Sequence, residues 1–215
     1  MADGIDMRLK SPFTAIVAGP SGCGKTELVL NFIRNRDTVC TDPPVQVIYC
    51  YGVWQEKFEE FSDIVTFREG LVDVTTDIER DGCARWVIID DLMEEVSGKE
   101  SLNNLFTKYS HHLNVSCVFM SQNLFNKGKL RTVTLNTKYM FIFKNPRDKQ
   151  VIENFAKQAF PGKVPAVRDA YADATEEPHS YLMIDMAQTT PERVRLVGNY
   201  MRHGKPLIAY DVTGV

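Results

Sequence analysis

Apolar residues fall in short, nearly unbroken runs separated by polar stretches, and the runs alternate between two kinds of spacing. Phe13–Ala18, Val45–Cys50, Trp86–Ile89, Val115–Met120 and Tyr139–Phe143 are apolar but for Thr14, Gln46 and Ser116, and partly β-branched or aromatic. Runs of this length read as strands buried on both faces. Between them, apolar side chains recur at helical spacing. This predicts helices over Glu27–Arg34, Gly52–Phe61, Lys99–His111, Arg147–Phe160 and Val164–Thr175. Pro146 fits the start of the fourth of these helices and Pro161-Gly162 its end. A short strand is expected at Ile64–Phe67, a polar helix or loop at Thr75–Asp81, and loops at Asp37–Pro44 and Lys127–Asn136. Tyr181–Asp185 and Arg193–Val197 read as a hairpin, and residues 201–215 as a tail. Strands alternating with helices predict an α/β fold with a mainly parallel central sheet and right-handed crossovers. The chain reads as a single domain over residues 1–215, with its core at about 11–200.

The first strand runs directly into Gly19-Pro20-Ser21-Gly22-Cys23-Gly24-Lys25-Thr26, and a helical pattern follows. This matches the phosphate-binding loop (Walker A) G-x-x-x-x-G-K-[ST] at every fixed position, in the strand–loop–helix context the motif needs. Glycines allow the backbone to wrap closely around phosphates. Loop amides and the helix N-terminus then point partial positive charge at the anion. Lys25 is expected to reach the β- and γ-phosphates of ATP, and the Thr26 hydroxyl to sit on Mg²⁺. Cys23 occupies a variable position where a small residue suffices.

About 65 residues later, Arg85-Trp86-Val87-Ile88-Ile89-Asp90-Asp91 reads as a buried strand ending in two acids. In open α/β sheets, ligands bind at that end of the strands. This fits the second (Walker B) nucleotide motif. Asp90 is expected in the Mg²⁺ shell and Asp91 is placed to accept a proton from an attacking water. The strand Val115–Met120 ends in Ser121-Gln122-Asn123. Gln122 is the candidate to sense the γ-phosphate or orient the water; capping the strand is the alternative role. One strand-and-helix unit separates the phosphate loop from Asp90. That predicts an intervening strand between the first strand and the Asp-bearing one, the additional-strand (ASCE) arrangement of P-loop NTPases.

Composition changes this picture little: 44% hydrophobic and 25% charged residues are ordinary for a soluble globular protein. No apolar run approaches a membrane span, and the first ten residues lack the apolar segment of a secretory signal. Five cysteines without C-x-x-C spacing argue for a reducing compartment, and His111-His112 reads as a helix cap in preference to a metal site. Trp54, Phe58 and Phe61 read as core aromatics. The net charge of −3 hides an asymmetry. Lys127 to Arg168 holds ten basic and two acidic residues, so this segment is +8 and the rest −11. Such a segment is either a solvated face or a surface for DNA or a neighbour's nucleotide phosphates.

Taken in order, these segments resemble the FtsK–HerA superfamily of DNA-pumping ATPases, within it the packaging ATPases of Polinton/Maverick elements and adintovirus-like or poxvirus-type viruses. The resemblance rests on Val17–Thr26, Ile89-Asp90-Asp91-Leu92-Met93, Leu105–His112, Ser121-Gln122-Asn123-Leu124-Phe125, Phe143–Lys149 and Tyr181–Asp185. It implies ATP hydrolysis coupled to moving double-stranded DNA into a capsid. It implies a homo-oligomeric ring (pentamer or hexamer), capsid or portal-vertex partners, no membrane, and an intracellular, host-cell site of action with virion association. It assigns Lys25 and Thr26 to phosphate and Mg²⁺, Asp90 to the metal and Gln122 to the polar sensor. Many relatives carry Glu where this chain has Asp91. Rings of this type also use a neighbour's arginine at the γ-phosphate; Arg147 is the favoured candidate and Arg131 the other.

Two other classes fit parts of the sequence. Gly-Pro-Ser-Gly-x-Gly-Lys also opens nucleotide and nucleoside kinases, although no acceptor motif accompanies it here. A non-hydrolysing interaction module would use nucleotide as a structural ligand.

Overall fold

The computed structural model describes residues 5–73, 76–92, 104–122, 124, 131–148 and 150–213. In chain order the elements are β1 (Thr14–Ala18), α1 (Lys25–Arg34), α2 (Arg36–Val39), β2 (Gln46–Tyr51), a 3₁₀ turn (Glu56–Phe61), β3 (Val65–Glu69) and β4 (Arg85–Asp90). A π-helical turn (Leu105–Tyr109) continues into α3 (Ser110–His112). Then come β5 (Val115–Ser121), α4 (Arg131–Leu135), β6 (Tyr139–Phe143), α5 (Gln150–Ala159), α6 (Val164–Ala174), β7 (Tyr181–Asp185), β8 (Leu196–Gly198) and β9 (Ile208–Tyr210).

The strands form one sheet in the order β3-β2-β4-β5-β1-β6-β7-β8-β9. From β3 to β6 every pairing is parallel, and β7, β8 and β9 add on antiparallel. The mainly parallel sheet and the C-terminal hairpin are therefore as the sequence predicts. The strand between β1 and the Asp-bearing β4 is β5, which carries Gln122 at its end.

Strands β1, β5 and β6 are buried at every position, which is why their sequences are near-continuous apolar runs, interrupted only by the small buried hydroxyls of Thr14, Ser116 and Ser121. The sheet has a core on each face. On one, Val17, Tyr49, Ile88, Met120 and Phe141 pack with Leu28, Val29, Phe32 and Ile33 of α1 and with Phe58 and Phe61. On the other, Ile16, Ile89, Phe119 and Ile142 pack with Leu105, Phe106, Ile152, Phe155 and Val167. Phe32 is buried and meets Phe141 edge-on at 5.1 Å. Truncating so large a buried side chain typically costs about 3–5 kcal/mol.

Several elements differ from the sequence expectation. The loop expected over Lys127–Asn136 contains α4, anchored by the buried Val133 and too short to leave a periodic signal. The helix expected from Arg147 starts at Gln150. The Arg147 amide donates to the Asn145 side chain at 3.1 Å, so Pro146 belongs to an Asx turn before the helix. The strand expected at Arg193–Val197 is a 3₁₀ turn (Glu192–Val194) followed by β8. The region expected to be a tail supplies β9, which pairs with β8. Of the three aromatics read as core, Phe58 and Phe61 are buried but Trp54 is 44% exposed. Of the helix expected over Lys99–His111, positions 99–103 lie outside the described residues, and the rest forms the π-helical turn and the start of α3.

Candidate active site

Strand register places the chemistry. Ala18 of β1 pairs with Ser121 of β5, Met120 of β5 with Asp90 of β4, and Asp90 with Tyr51 of β2. The residues that follow, Gly19, Gln122, Asp91 and Gly52, therefore leave the sheet at one edge, the carboxyl ends of parallel strands. The Gly19 amide donates to the Ser121 carbonyl at 3.1 Å, joining the loop directly to β5.

The loop needs its glycines. A Cβ on Gly19 would lie 2.7 Å from both the Cys23 Sγ and the Phe143 Cβ. Gly22 and Gly24 have φ of 77° and 107°, the left-handed region that glycine adopts without strain. Gly24 precedes α1, and no side chain caps that helix. Its first amides are thus left to an anion, which the helix dipole also favours. The buried Lys25 ammonium donates to the carbonyls of Gly19 (2.7 Å) and Pro20 (3.1 Å), arching under the loop. The His179 ring, from the loop before β7, lies 3.1 Å from the Cys23 carbonyl through Nδ1. Burial pushes the Cys23 thiol up, away from thiolate character.

The two acids are in different surroundings. Asp90 is half-buried, and desolvation pushes its carboxyl above the ordinary carboxylate range. The Tyr49 hydroxyl donates to Asp90 Oδ2 at 2.7 Å, which favours the ionised form and offsets part of that effect. Asp91 is exposed and has φ of 52°, a left-handed conformation uncommon for a residue with a side chain. Gln122 Nε2 donates to Asp91 Oδ2 at 2.7 Å.

A cleft of about 810 Å³ joins these groups. Ser21, Gly22, Gly24, Lys25 and Thr26 line it together with Asp90, Asp91 and Gln122. The Thr26 hydroxyl and the Asp90 carboxylate are hard oxygen donors, the set that suits Mg²⁺ when nucleotide phosphates and water supply the remaining ligands. A cation would also relieve the desolvation that Asp90 bears, so these residues fit the metal. Among the described residues, no group of three or more His, Cys, Asp and Glu forms a protein-only metal cage.

Sequence reading missed His179 and Tyr49. Neither belongs to a motif; the only signal for Tyr49 was a hydroxyl-bearing ring inside an apolar strand. Arg147 does not line the main cleft. It lies beside it, around a hollow of about 480 Å³ shared with Pro20, Ser21, Gln122 and Asn145. The basic segment is not one uniform surface either. Lys138 donates to the Pro12 carbonyl, Lys163 to the Val212 carbonyl, and Arg168 pairs with Asp169. Lys144, Arg147 and Lys157 are exposed. Lys127, Lys129, Lys149, Asn123 and the side chain of Arg131 lie outside the described residues.

With the site in place, the architecture can be compared with solved structures. The fold is that of P-loop ATPases. The genome packaging NTPase B204 from Sulfolobus turreted icosahedral virus 2, in complex with AMPPCP, aligns over 83% of this chain and 95% of its own, with a TM-score of 0.60 and 11% identity. The DNA-packaging ATPase B204 of Sulfolobus Turreted Icosahedral Virus aligns over 81% and 93%, with a TM-score of 0.55 and 10% identity. The cytoplasmic domain of the type VII secretion ATPase EccC of Thermomonospora curvata aligns over 92% of this chain but only 25% of its own, with a TM-score of 0.55 and 15% identity. No protein-family model and no curated protein sequence matches the chain. No described helix is long and apolar enough to cross a membrane.

Proposed function

We propose that the chain is an ATP-hydrolysing double-stranded DNA translocase that packages a viral or virus-like genome into a capsid, of the FtsK–HerA type and the Polinton-like branch. The observation that carries the hydrolytic part is the convergence of Lys25, Thr26, Asp90, Asp91 and Gln122 on one cleft. The packaging part is supported by the likeness in fold to B204, a DNA-packaging ATPase, together with the ordered sequence segments. The working form is a homo-oligomeric ring acting with capsid or portal proteins inside the host cell.

In this reading the triphosphate lies along the phosphate loop, its charge met by loop amides, the α1 N-terminus and Lys25. Lys25 exchanges its two loop carbonyls for the β- and γ-phosphate oxygens. When bound, Mg²⁺ held by Thr26 and Asp90 supplies charge neutralisation on those oxygens. Gln122 orients a water in line with the γ-phosphorus, and Asp91 accepts its proton. The new oxygen–phosphorus bond forms as the bridge to the β-phosphate breaks, giving ADP and inorganic phosphate. Arg147 from a neighbouring subunit stabilises the charge developing on the γ-phosphoryl group.

The test is an ATP hydrolysis assay with and without double-stranded DNA, run with nucleoside monophosphates present or absent. DNA-stimulated phosphate release that is lost in Lys25→Ala and Asp91→Asn is the expected result. Phosphate transfer to a monophosphate would instead establish a kinase, and nucleotide binding without turnover an interaction module.

A further inference from the structure

A buried interior strand position ordinarily takes an aliphatic residue. The second strand places Tyr49 there, fully buried, between Ile48 and Cys50. A tyrosine inside a core needs a partner for its hydroxyl, since an unpaired buried polar group is costly. The hydroxyl donates to the Asp90 carboxylate, and the Thr26 side chain also reaches it. β2 and β4 run parallel with Tyr49 opposite Ile88 and Tyr51 opposite Asp90. Side chains alternate along a strand, so Tyr49, Ile88 and Asp90 share the sheet face on which α1 packs. The Tyr49 ring therefore lies two residues behind Asp90 and extends along the face toward its carboxylate. Its hydroxyl sits 2.7 Å from Oδ2 and 3.6 Å from the Met120 sulfur. The ring is held from the outer side by Phe58 and Phe67, with centroids at 5.0 and 5.5 Å.

We infer that Tyr49 is a positioning residue for the divalent cation: by engaging Oδ2 of Asp90, it leaves Oδ1 for the metal that Asp90 and Thr26 would hold. The inference rests on the nucleotide-site reading and adds to it a residue that belongs to neither nucleotide motif. Partners that orient a metal-ligating carboxylate typically change metal affinity 10- to 100-fold when removed. A hydroxyl that only satisfies the core has no such effect.

Tyr49→Phe keeps the ring and removes the one oxygen. Binding of a fluorescent ATP analogue, titrated first in EDTA and then at increasing Mg²⁺, separates the roles. The expected result is an affinity in EDTA within about twofold of wild type, with the Mg²⁺ concentration for half-maximal enhancement raised about 10-fold or more. An unchanged Mg²⁺ midpoint would make Tyr49 an ordinary core residue. So would a loss of affinity in EDTA equal to that in Mg²⁺, because a general loosening of the fold does not distinguish metal from nucleotide. The affinity in EDTA is the control for folding, and a double-mutant cycle tests the route. If Tyr49 acts through Asp90, then Asp90→Asn and the double variant Tyr49→Phe/Asp90→Asn share one Mg²⁺ dependence; independent, multiplying effects would overturn the inference. A wild-type chain whose nucleotide binding does not respond to Mg²⁺ would instead sink the nucleotide-site reading, and this inference with it.

Discussion

Gln122 Nε2 donates a hydrogen bond to Asp91 Oδ2 at 2.7 Å, tying the end of β5 to the residue that leaves β4. The two residues come from strands adjacent in the sheet but 31 positions apart in sequence. Asp91 itself has a left-handed backbone, with φ of 52°. In the proposed reaction both must face one water. Asp91→Asn keeps the size and the contact while removing the proton acceptor. Turnover should fall about 10²-fold or more, with nucleotide affinity nearly unchanged. Gln122→Leu should cost on the order of 10²-fold in kcat through lost orientation. A steady-state hydrolysis assay beside a nucleotide-binding titration checks both; a fall in affinity alone would move Gln122 out of the reaction and into phosphate binding.

Lys25 spends its hydrogen bonds on the loop's own carbonyls, so the loop is formed before any phosphate arrives. Lys25→Ala removes both of those bonds and the charge that would meet the phosphates, so the variant should fold around its intact sheet but fail to bind ATP. Thermal melts can show this directly. Nucleotide at 100 times its Kd should stabilise wild type by about 2.7 kcal/mol, and Lys25→Ala not at all. Gly19→Ala should reach the same end by a different route. Its new methyl would press on the Phe143 Cβ, which cannot move without shifting β6.

Acid stability isolates a different part of the fold. Arg85 is buried at the start of β4 and donates to Asp81 through both Nη1 and Nη2, at 2.5 and 2.9 Å. That contact holds the Asp81 carboxyl below the ordinary carboxylate range. The sign follows from linkage: a depressed folded-state pKa gives stability that is present above the unfolded value, near 3.9, and fades as pH falls toward the depressed one. Melting temperature should therefore fall between pH 5 and pH 2, and Asp81→Asn should fall less steeply over that range. Parallel curves for the two proteins would show that the bond carries no net stability.

The sheet was legible because its central strands are largely apolar runs, and the motif residues were legible because Gly19–Thr26 and Asp90-Asp91 obey fixed spacings. What the sequence left hidden has physical causes. α4 and β9 are held by tertiary contacts on too few residues to leave a period. Pro146 looked like a helix start because sequence alone does not show the Asn145 side chain taking the turn's amide. Tyr49 and His179 reach the site through pairing and loop placement, which no local pattern encodes. The +8 stretch counted charges without their partners, and several of those cations are engaged by carbonyls or acids of the same chain.

Arg147 is exposed, sits on the turn after β6, and flanks the loop residues Pro20 and Ser21 of its own chain across a shared hollow. If it serves a neighbour's γ-phosphate, Arg147→Ala should cost on the order of 10³-fold in turnover while leaving nucleotide affinity close to wild type. The same loss would follow if Arg147 served its own site, so the single variant does not separate the two. Mixing does. An Arg147→Ala subunit keeps a complete phosphate loop, and a Lys25→Ala subunit keeps the arginine. Where the first presents its site to the second, an arginine acting across the interface restores one working site, and hydrolysis rises above that of either variant alone. An arginine acting within its own chain restores nothing at any mixing ratio. Hydrolysis measured across a series of ratios, after subunits have exchanged, therefore decides which chain the guanidinium serves.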